Sequence, residues 1–281
     1  MLFRSEPHSS SNSQPIAVFD SGIGGLSVLG EIHKLLPNEP TLYLADQAHV
    51  PYGSRSLEEV RDFVTAIIDF FLNQPAKMIV LACNTASAAA LHFLRQRHPN
   101  IPIVGMEPAI KPAAEQTRSG VVGVLATPAT FQGALYASVI ERFGLGVKVL
   151  QNTCPGLVAQ IESGDLETDA TRQILQSVLQ PMLAEGIDTI VLGCTHYPFV
   201  IPLIQEIAGQ NVRVIDPAPA VAKQVARLLD QNHLRTYSET IIPSHQYFTS
   251  GDAEVFQKTL KRLGFEAQNV TKVAWQELHL D

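Results

Sequence analysis

Two of the three cysteines stand in matching surroundings. Cys83 follows the apolar run Met78-Ile79-Val80-Leu81 and precedes Asn84-Thr85, while Cys194 follows Ile190-Val191-Leu192-Gly193 and precedes Thr195-His196. A thiol has an ordinary pKa of about 8.5, and a helix N-terminus is expected to bring it nearer neutrality, so thiolate and thiol can coexist at working pH. Two thiols reaching one small ligand from opposite sides could remove a proton from one face of a tetrahedral carbon and return a proton to the other. Base and acid would exchange roles with direction. Cys154, just before Pro155, lies outside these matched positions and reads as a buried or helix-start residue. Three cysteines cannot all pair, and none belongs to a CxxC cluster, so reduced thiols and no metal are expected.

The elements that must carry these residues alternate between strand and helix. Ile16 to Phe19 is a short apolar run of the buried parallel-strand type, followed by Asp20-Ser21-Gly22-Ile23-Gly24-Gly25 and an amphipathic stretch to about Leu36. A second run, Leu42-Tyr43-Leu44, leads into a loop from Asp46 to Gly53. Ser56 and Glu59 form a capping box that opens a helix to about Asn73. The Met78–Leu81 run turns through Cys83 into an Ala-rich helix ending near Arg97, and Ile101 to Val104 closes this half. The rhythm predicts parallel sheets covered on both faces.

The second half repeats the first. Gly123 to Thr127 corresponds to Ala17 to Ser21, and Ile190 to Cys194 corresponds to Ile79 to Cys83. Each cysteine is followed by a helix, an apolar strand and an acid-proline step, with 24 residues from Cys83 to Glu107 and 22 from Cys194 to Asp216. The pattern predicts a duplicated α/β fold, two similar parallel-sheet domains related by a pseudo-two-fold, with the active site in the cleft between them. A mobile extension is expected over residues 1–14, a first domain over 15–107 plus 220–281, and a second over 108–219. The C-terminal piece contributes a helix after about Ala220, an apolar run from Gln246 to Thr249, and a last helix from about Asp252 to Leu263.

Composition narrows the classes. The 281 residues are 46% hydrophobic and 17% charged, with 27 acidic against 20 basic side chains and a net charge of −7, as in an ordinary acidic globular protein. No basic excess points to nucleic acid, no run approaches the roughly eighteen apolar residues of a membrane span, and the first fourteen residues lack a secretory apolar region. A cytoplasmic location is expected. Gly22-Ile23-Gly24-Gly25 resembles the start of a dinucleotide fingerprint, but Ser27 stands where its third glycine belongs. A tight turn bringing backbone N–H groups towards a substrate carboxylate explains it better.

The strings VFDSGIGGLSVL, ADQAHVPYG, LACNTASA, CPGLVAQIESG, LGCTHYP, DPA and FTSGD, in order from about Ile16 to Asp252, resemble the pattern of bacterial glutamate racemases within the cofactor-independent aspartate/glutamate racemase group. The resemblance implies interconversion of L- and D-glutamate, supplying D-glutamate for peptidoglycan, with no cofactor, no metal, and glutamate as the small-molecule partner. Homodimers are frequent in similar proteins. It also implies catalytic roles for Cys83 and Cys194, with the first usually assigned to the D-isomer and the second to the L-isomer. Asp20 and His196 are implied to help the proton transfers. Substrate contacts are implied for Asp20-Ser21, Tyr52-Gly53, Asn84-Thr85 and Thr195-His196, with the hydroxyls of Ser21, Thr85 and Thr195 expected to hold carboxylates.

Several alternatives stay open at the level of sequence. Asp20 also suits a helix N-cap, and His196 also suits ordinary packing. Glu162 fits either a place facing the cleft near Cys194 or an exposed helix end. Residues 123–130 contain ATPAT where many family members carry a glycine-threonine version, which leaves contacts from Thr127 and Thr130 undecided. An aspartate racemase and a non-catalytic amino-acid binder are the competing functions, although matched thiols serve no purpose in a receptor.

Overall fold

Short apolar runs, buried on both faces, set the architecture of the computed structural model, which describes residues 12–237, 243–267, 269–276 and 279–280. Four such runs form most of a first sheet: β1 (Ile16–Asp20), β2 (Thr41–Ala45), β3 (Met78–Leu81) and β4 (Ile103–Gly105). Between them lie α1 (Leu26–Leu35), α2 (Leu57–Leu72) and α3 (Asn84–Arg97). The expected capping box is present, with Ser56 accepting from the Glu59 N–H at the start of α2.

The chain continues through α4 (Ile110–Gln116), β5 (Val121–Ala126), α5 (Pro128–Gln132), α6 (Ala134–Phe143), β6 (Lys148–Asn152), α7 (Leu157–Ser163), α8 (Asp169–Ala184), β7 (Thr189–Gly193), α9 (Ile201–Ala208) and β8 (Arg213–Ile215). After α10 (Ala218–Gln231) come β9 (His245–Thr249), α11 (Ala253–Arg262), β10 (Val270–Lys272) and the two-residue strands β11 (Trp275–Gln276) and β12 (His279–Leu280).

The duplication is written in the strand order. The first sheet runs β10-β9-β2-β1-β3-β4 and the second β6-β5-β7-β8, with every pairing in both sheets parallel. The register repeats as well: Phe19 pairs with Leu81, and Leu125 pairs with Leu192. The acid-proline steps fall out of this register. Val80 pairs with Val104 and Val191 with Ile215, so Asp216 corresponds to Gly105 and Glu107 lies two residues further on.

Alternate side chains of β1 serve two different cores. Ala17 and Phe19 pack under α2 and α3. Ile16 and Val18 join an apolar cluster that includes Leu29 and Ile32 of α1 and Val225 of α10, and passes without interruption to Leu125, Leu192 and Leu175 of the second half. A third cluster, including Val122, Val124 and Ala113, covers the other face of the second sheet. Among the described residues no helix is long and apolar enough to cross a membrane. Residues 1–11 of the expected mobile extension lie outside the described residues. Asn12 does not behave as part of a free tail, since its carbonyl accepts from Lys77 Nζ at 2.5 Å and Thr236 Oγ1 at 2.6 Å.

Candidate active site

Because strands run parallel within each sheet, their C-terminal ends gather the loops that could hold a ligand. Cys83 lies two residues beyond Leu81, and Cys194 two residues beyond Leu192, so the shared register puts the sulfurs at equivalent places past paired strand ends. Both are 5% exposed, and both line one cavity of about 330 Å³. Cys83 caps α3, its Sγ accepting from the Ala86 N–H at 3.5 Å, and its thiol donates to Ser21 Oγ at 3.8 Å. All three cysteines are free.

Of the other residues proposed from sequence, Ser21, Tyr52, Gly53, Asn84, Thr85, Thr195 and His196 also line this cavity. Asp20 does not. It is wholly buried behind the wall, with Oδ1 accepting from the Gly22 N–H at 2.8 Å and Oδ2 from Thr195 Oγ1 at 2.9 Å. The N-cap of α1 is Gly25, so helix capping does not explain Asp20 either. Thr195, having given its hydroxyl proton to Asp20, offers the cavity only lone pairs and cannot hold a carboxylate through that hydroxyl as expected. Asn84 does the opposite: neither polar atom of its buried side chain has a partner among the described residues.

The glycine turn also differs from expectation. Its N–H groups are taken up by protein carboxylates, with Gly22 bonded to Asp20 and Ile23 donating to Glu162 Oε1 at 2.8 Å. The glycines allow close approach of the two halves. A Cβ on Gly22 would come within 2.0 Å of Glu162 Oε1, and one on Gly24 within 2.5 Å of His196 Nδ1.

Glu162 is half-buried between the halves and bonded to the His196 ring beside Cys194, which favours its cleft-facing reading over an exposed helix end. It accepts from His196 Nε2 at 2.5 Å, while Nδ1 of the same ring lies 3.7 Å from Cys194 Sγ. Thr127 and Thr130 are likewise placed. Thr127 Oγ1 lies 2.8 Å from both Thr85 Oγ1 and Thr130 Oγ1, joining the halves through a cluster of hydroxyls. Cys154 is buried as expected, yet it also lines the cavity, as do Thr153, Pro155 and Tyr197. Cys154, Pro155 and Glu162 all belong to the segment CPGLVAQIESG, which was the available signal for that wall.

Burial dominates the electrostatics. It pushes the Cys83 thiol well up, with the Asp20 carboxylate adding to the shift, and this outweighs the Ala86 N–H that was expected to bring the group towards neutrality. Burial also raises Asp20, against the opposing charge of His196. For His196 burial alone would favour the neutral ring, but its hydrogen bonds to Cys194 and Glu162, together with their charges, hold it well above the ordinary histidine value. Burial would raise Glu162, and its bonds from His196, Ile23 and Gln47 reverse this to leave it lowered. The pair is therefore imidazolium and carboxylate, with both ring N–H groups donating. Among the described residues no lysine or arginine lines the cavity. Among the described residues no group of three or more His, Cys, Asp or Glu side chains could hold a metal.

A model of the Asp/Glu/Hydantoin racemase family matches residues 19–225. The chain is 52% identical over 255 residues to a glutamate racemase of Ectopseudomonas mendocina, covering 90% of this chain and 96% of that one. Among solved structures, a glutamate racemase isoform of Bacillus anthracis superposes with a TM-score of 0.84 at 33% identity, covering 95% of this chain and 99% of that one. The glutamate racemase of Francisella tularensis in complex with D-glutamate gives 0.82 at 30% identity, covering 94% and 98%.

Proposed function

The chain belongs to the Asp/Glu/Hydantoin racemase family, and we propose that it interconverts L- and D-glutamate by proton transfer between two opposed thiols, Cys83 and Cys194. The observation that carries this reading is the pair of buried sulfurs at register-equivalent strand ends, lining one cavity. In the resting protein Cys83 is a thiol because burial disfavours its anion. Cys194 stands beside an imidazolium that offers positive charge and a donor to its sulfur. This arrangement suits L-glutamate: in the form that reacts with it, a Cys194 thiolate takes the α-proton, the electron pair stays on the α-carbon, and the Cys83 thiol delivers its proton to the opposite face. D-glutamate leaves a Cys83 thiolate and a Cys194 thiol, the form that runs the reverse reaction.

The obstacle is the weak acidity of the α-hydrogen. With no lysine or arginine among the described residues of the wall, the carboxylates are held by neutral donors: the Ser21 hydroxyl, the unpartnered Asn84 amide, and the Thr85 hydroxyl in its cluster. Such dipoles are fixed in place before reaction and act strongly once water is excluded. Tyr52 and Gly53 close the cavity from the loop after β2. Asp20 acts from behind the wall, through the charge it presents to Cys83 and the bond it accepts from Thr195. The reading includes supply of D-glutamate for peptidoglycan and a cytoplasmic location, where both thiols stay reduced. It also includes a homodimeric state and a division into domains at 15–107 plus 220–281 and 108–219.

The test is α-deuterium incorporation into glutamate in heavy water, with aspartate compared at equal concentration. Wild type labels and racemises glutamate. Cys83→Ser and Cys194→Ser each lose racemisation by about a thousandfold, the scale of a lost general acid or base. Near-full turnover in either variant overturns the two-thiol mechanism.

A further inference from the structure

The carboxylate of Asp46 is a second buried hub, outside the cavity. Oδ2 accepts from Tyr52 Oη at 2.6 Å and from His49 Nδ1 at 2.9 Å, while Oδ1 accepts from Ser250 Oγ at 2.6 Å and from Trp275 Nε1 at 2.7 Å. Four donors on two oxygens fill the capacity of a carboxylate. They come from three separate places: the loop that carries Tyr52 and Gly53, the turn after β9, and the C-terminal strand β11.

Ring contacts strengthen the same junction. His49 stacks on Phe63 with centroids 4.0 Å apart, and Trp275 meets His49 edge-on at 4.8 Å. Arg55 Nε donates to the His49 carbonyl at 2.9 Å, closing the loop on itself. Tyr52 itself lines the cavity. One face of the loop is therefore ligand surface, and the other is held by a residue more than two hundred positions away.

Resting on the functional reading above, we infer that Asp46 and Trp275 are positioning residues for the reaction, by which the C-terminal strand pair fixes the Tyr52–Gly53 wall against the bound amino acid. Neither touches the cavity; both act through Tyr52. Loss of the indole N–H leaves one carboxylate oxygen a donor short and loosens the loop, so the cost falls on substrate binding and not on the proton transfers.

Trp275 is the only tryptophan in the chain, and its emission reports on this junction without any label. Saturating glutamate is expected to change the Trp275 emission of the wild type, and Tyr52→Phe, which cuts the link at the hydroxyl, is expected to lose at least half of that change. Trp275→Phe keeps an aromatic ring while removing the hydrogen bond and part of the indole. Its KM for both enantiomers is expected to rise about five- to tenfold with kcat within about twofold, the size of one ordinary hydrogen bond. A purely structural role would instead lower the melting temperature and leave KM unchanged in the folded fraction. Unchanged KM, a fall in kcat alone, or an emission insensitive to glutamate in a wild type that turns it over overturns the inference. If Trp275→Phe does not fold, the emission of Tyr52→Phe decides alone. A wild type that fails to exchange the α-proton defeats the functional reading, and the emission response to whichever amino acid binds still judges the coupling.

Discussion

Replacing Glu162 by glutamine separates the charge of the His196–Glu162 pair from its shape. The amide keeps an oxygen for the Ile23 N–H but presents no anion to His196 Nε2, where the carboxylate now stands at 2.5 Å. A hydrogen bond to a charged partner contributes about 1.5–3 kcal/mol, so kcat/KM is expected to fall roughly tenfold to 150-fold if the imidazolium is needed at Cys194. Mirror-image glutamates have equal free energies, so kcat/KM must fall by the same factor in both directions, and asymmetry can appear only in the separate kcat and KM values. The pH dependence carries a second sign. The ordinary values are 6.5 for the histidine, raised on folding, and 4.5 for the glutamate, lowered on folding. The stabilising contribution of His196 is complete below 6.5 and is lost as pH rises through the raised value; that of Glu162 is complete above 4.5 and is lost as pH falls through the lowered value. Without the carboxylate, burial is the largest influence left on His196 and favours the neutral ring, so the alkaline limb of kcat/KM should move to lower pH. Circular dichroism of glutamate and deuterium wash-in measure both quantities. A variant within about threefold of wild type, with its alkaline limb unmoved, refutes the argument that the imidazolium serves the Cys194 sulfur.

Gly22→Ala should act through the same carboxylate, because its Cβ would meet Glu162 Oε1 at 2.0 Å and displace it from His196. The Gly22→Ala, Glu162→Gln double variant should then lose little more activity than either single one, and additive losses in that cycle would refute a shared route. Lys77→Met should destabilise the fold by about 3–5 kcal/mol in urea titration, since it leaves Glu39 buried without its 2.5 Å ion-pair partner. Adding Glu39→Leu should recover much of that loss, and no recovery would show that Lys77 matters through Asn12 and Thr236 instead.

The parts of the fold set by local pattern were legible in the sequence. The apolar runs of β1, β3, β5 and β7, the Ser56 cap, and the matched contexts of Cys83 and Cys194 need only neighbours along the chain to be recognised. What stayed hidden depends on groups far apart in sequence. The Gly22 to Gly25 turn announced its glycines but not their reason, which is the approach of Glu162 from 139 residues beyond Ile23. The pattern likewise gave no sign that burial would overrule the helix N-terminus at Cys83, because desolvation depends on everything that surrounds the sulfur. Asp46 and Trp275 are separated by 229 positions and share no pattern; only the folded chain joins them.

The apolar cluster that passes from Val18 and Ile32 to Leu125 and Leu192 without a break ties the two repeats into one cooperative unit. Neither repeat keeps a complete interior when the other opens, so melting should engage both at once, and an amino acid held at their junction should protect strands far from where it sits. Two copies of one fold thus make, thermodynamically, a single object.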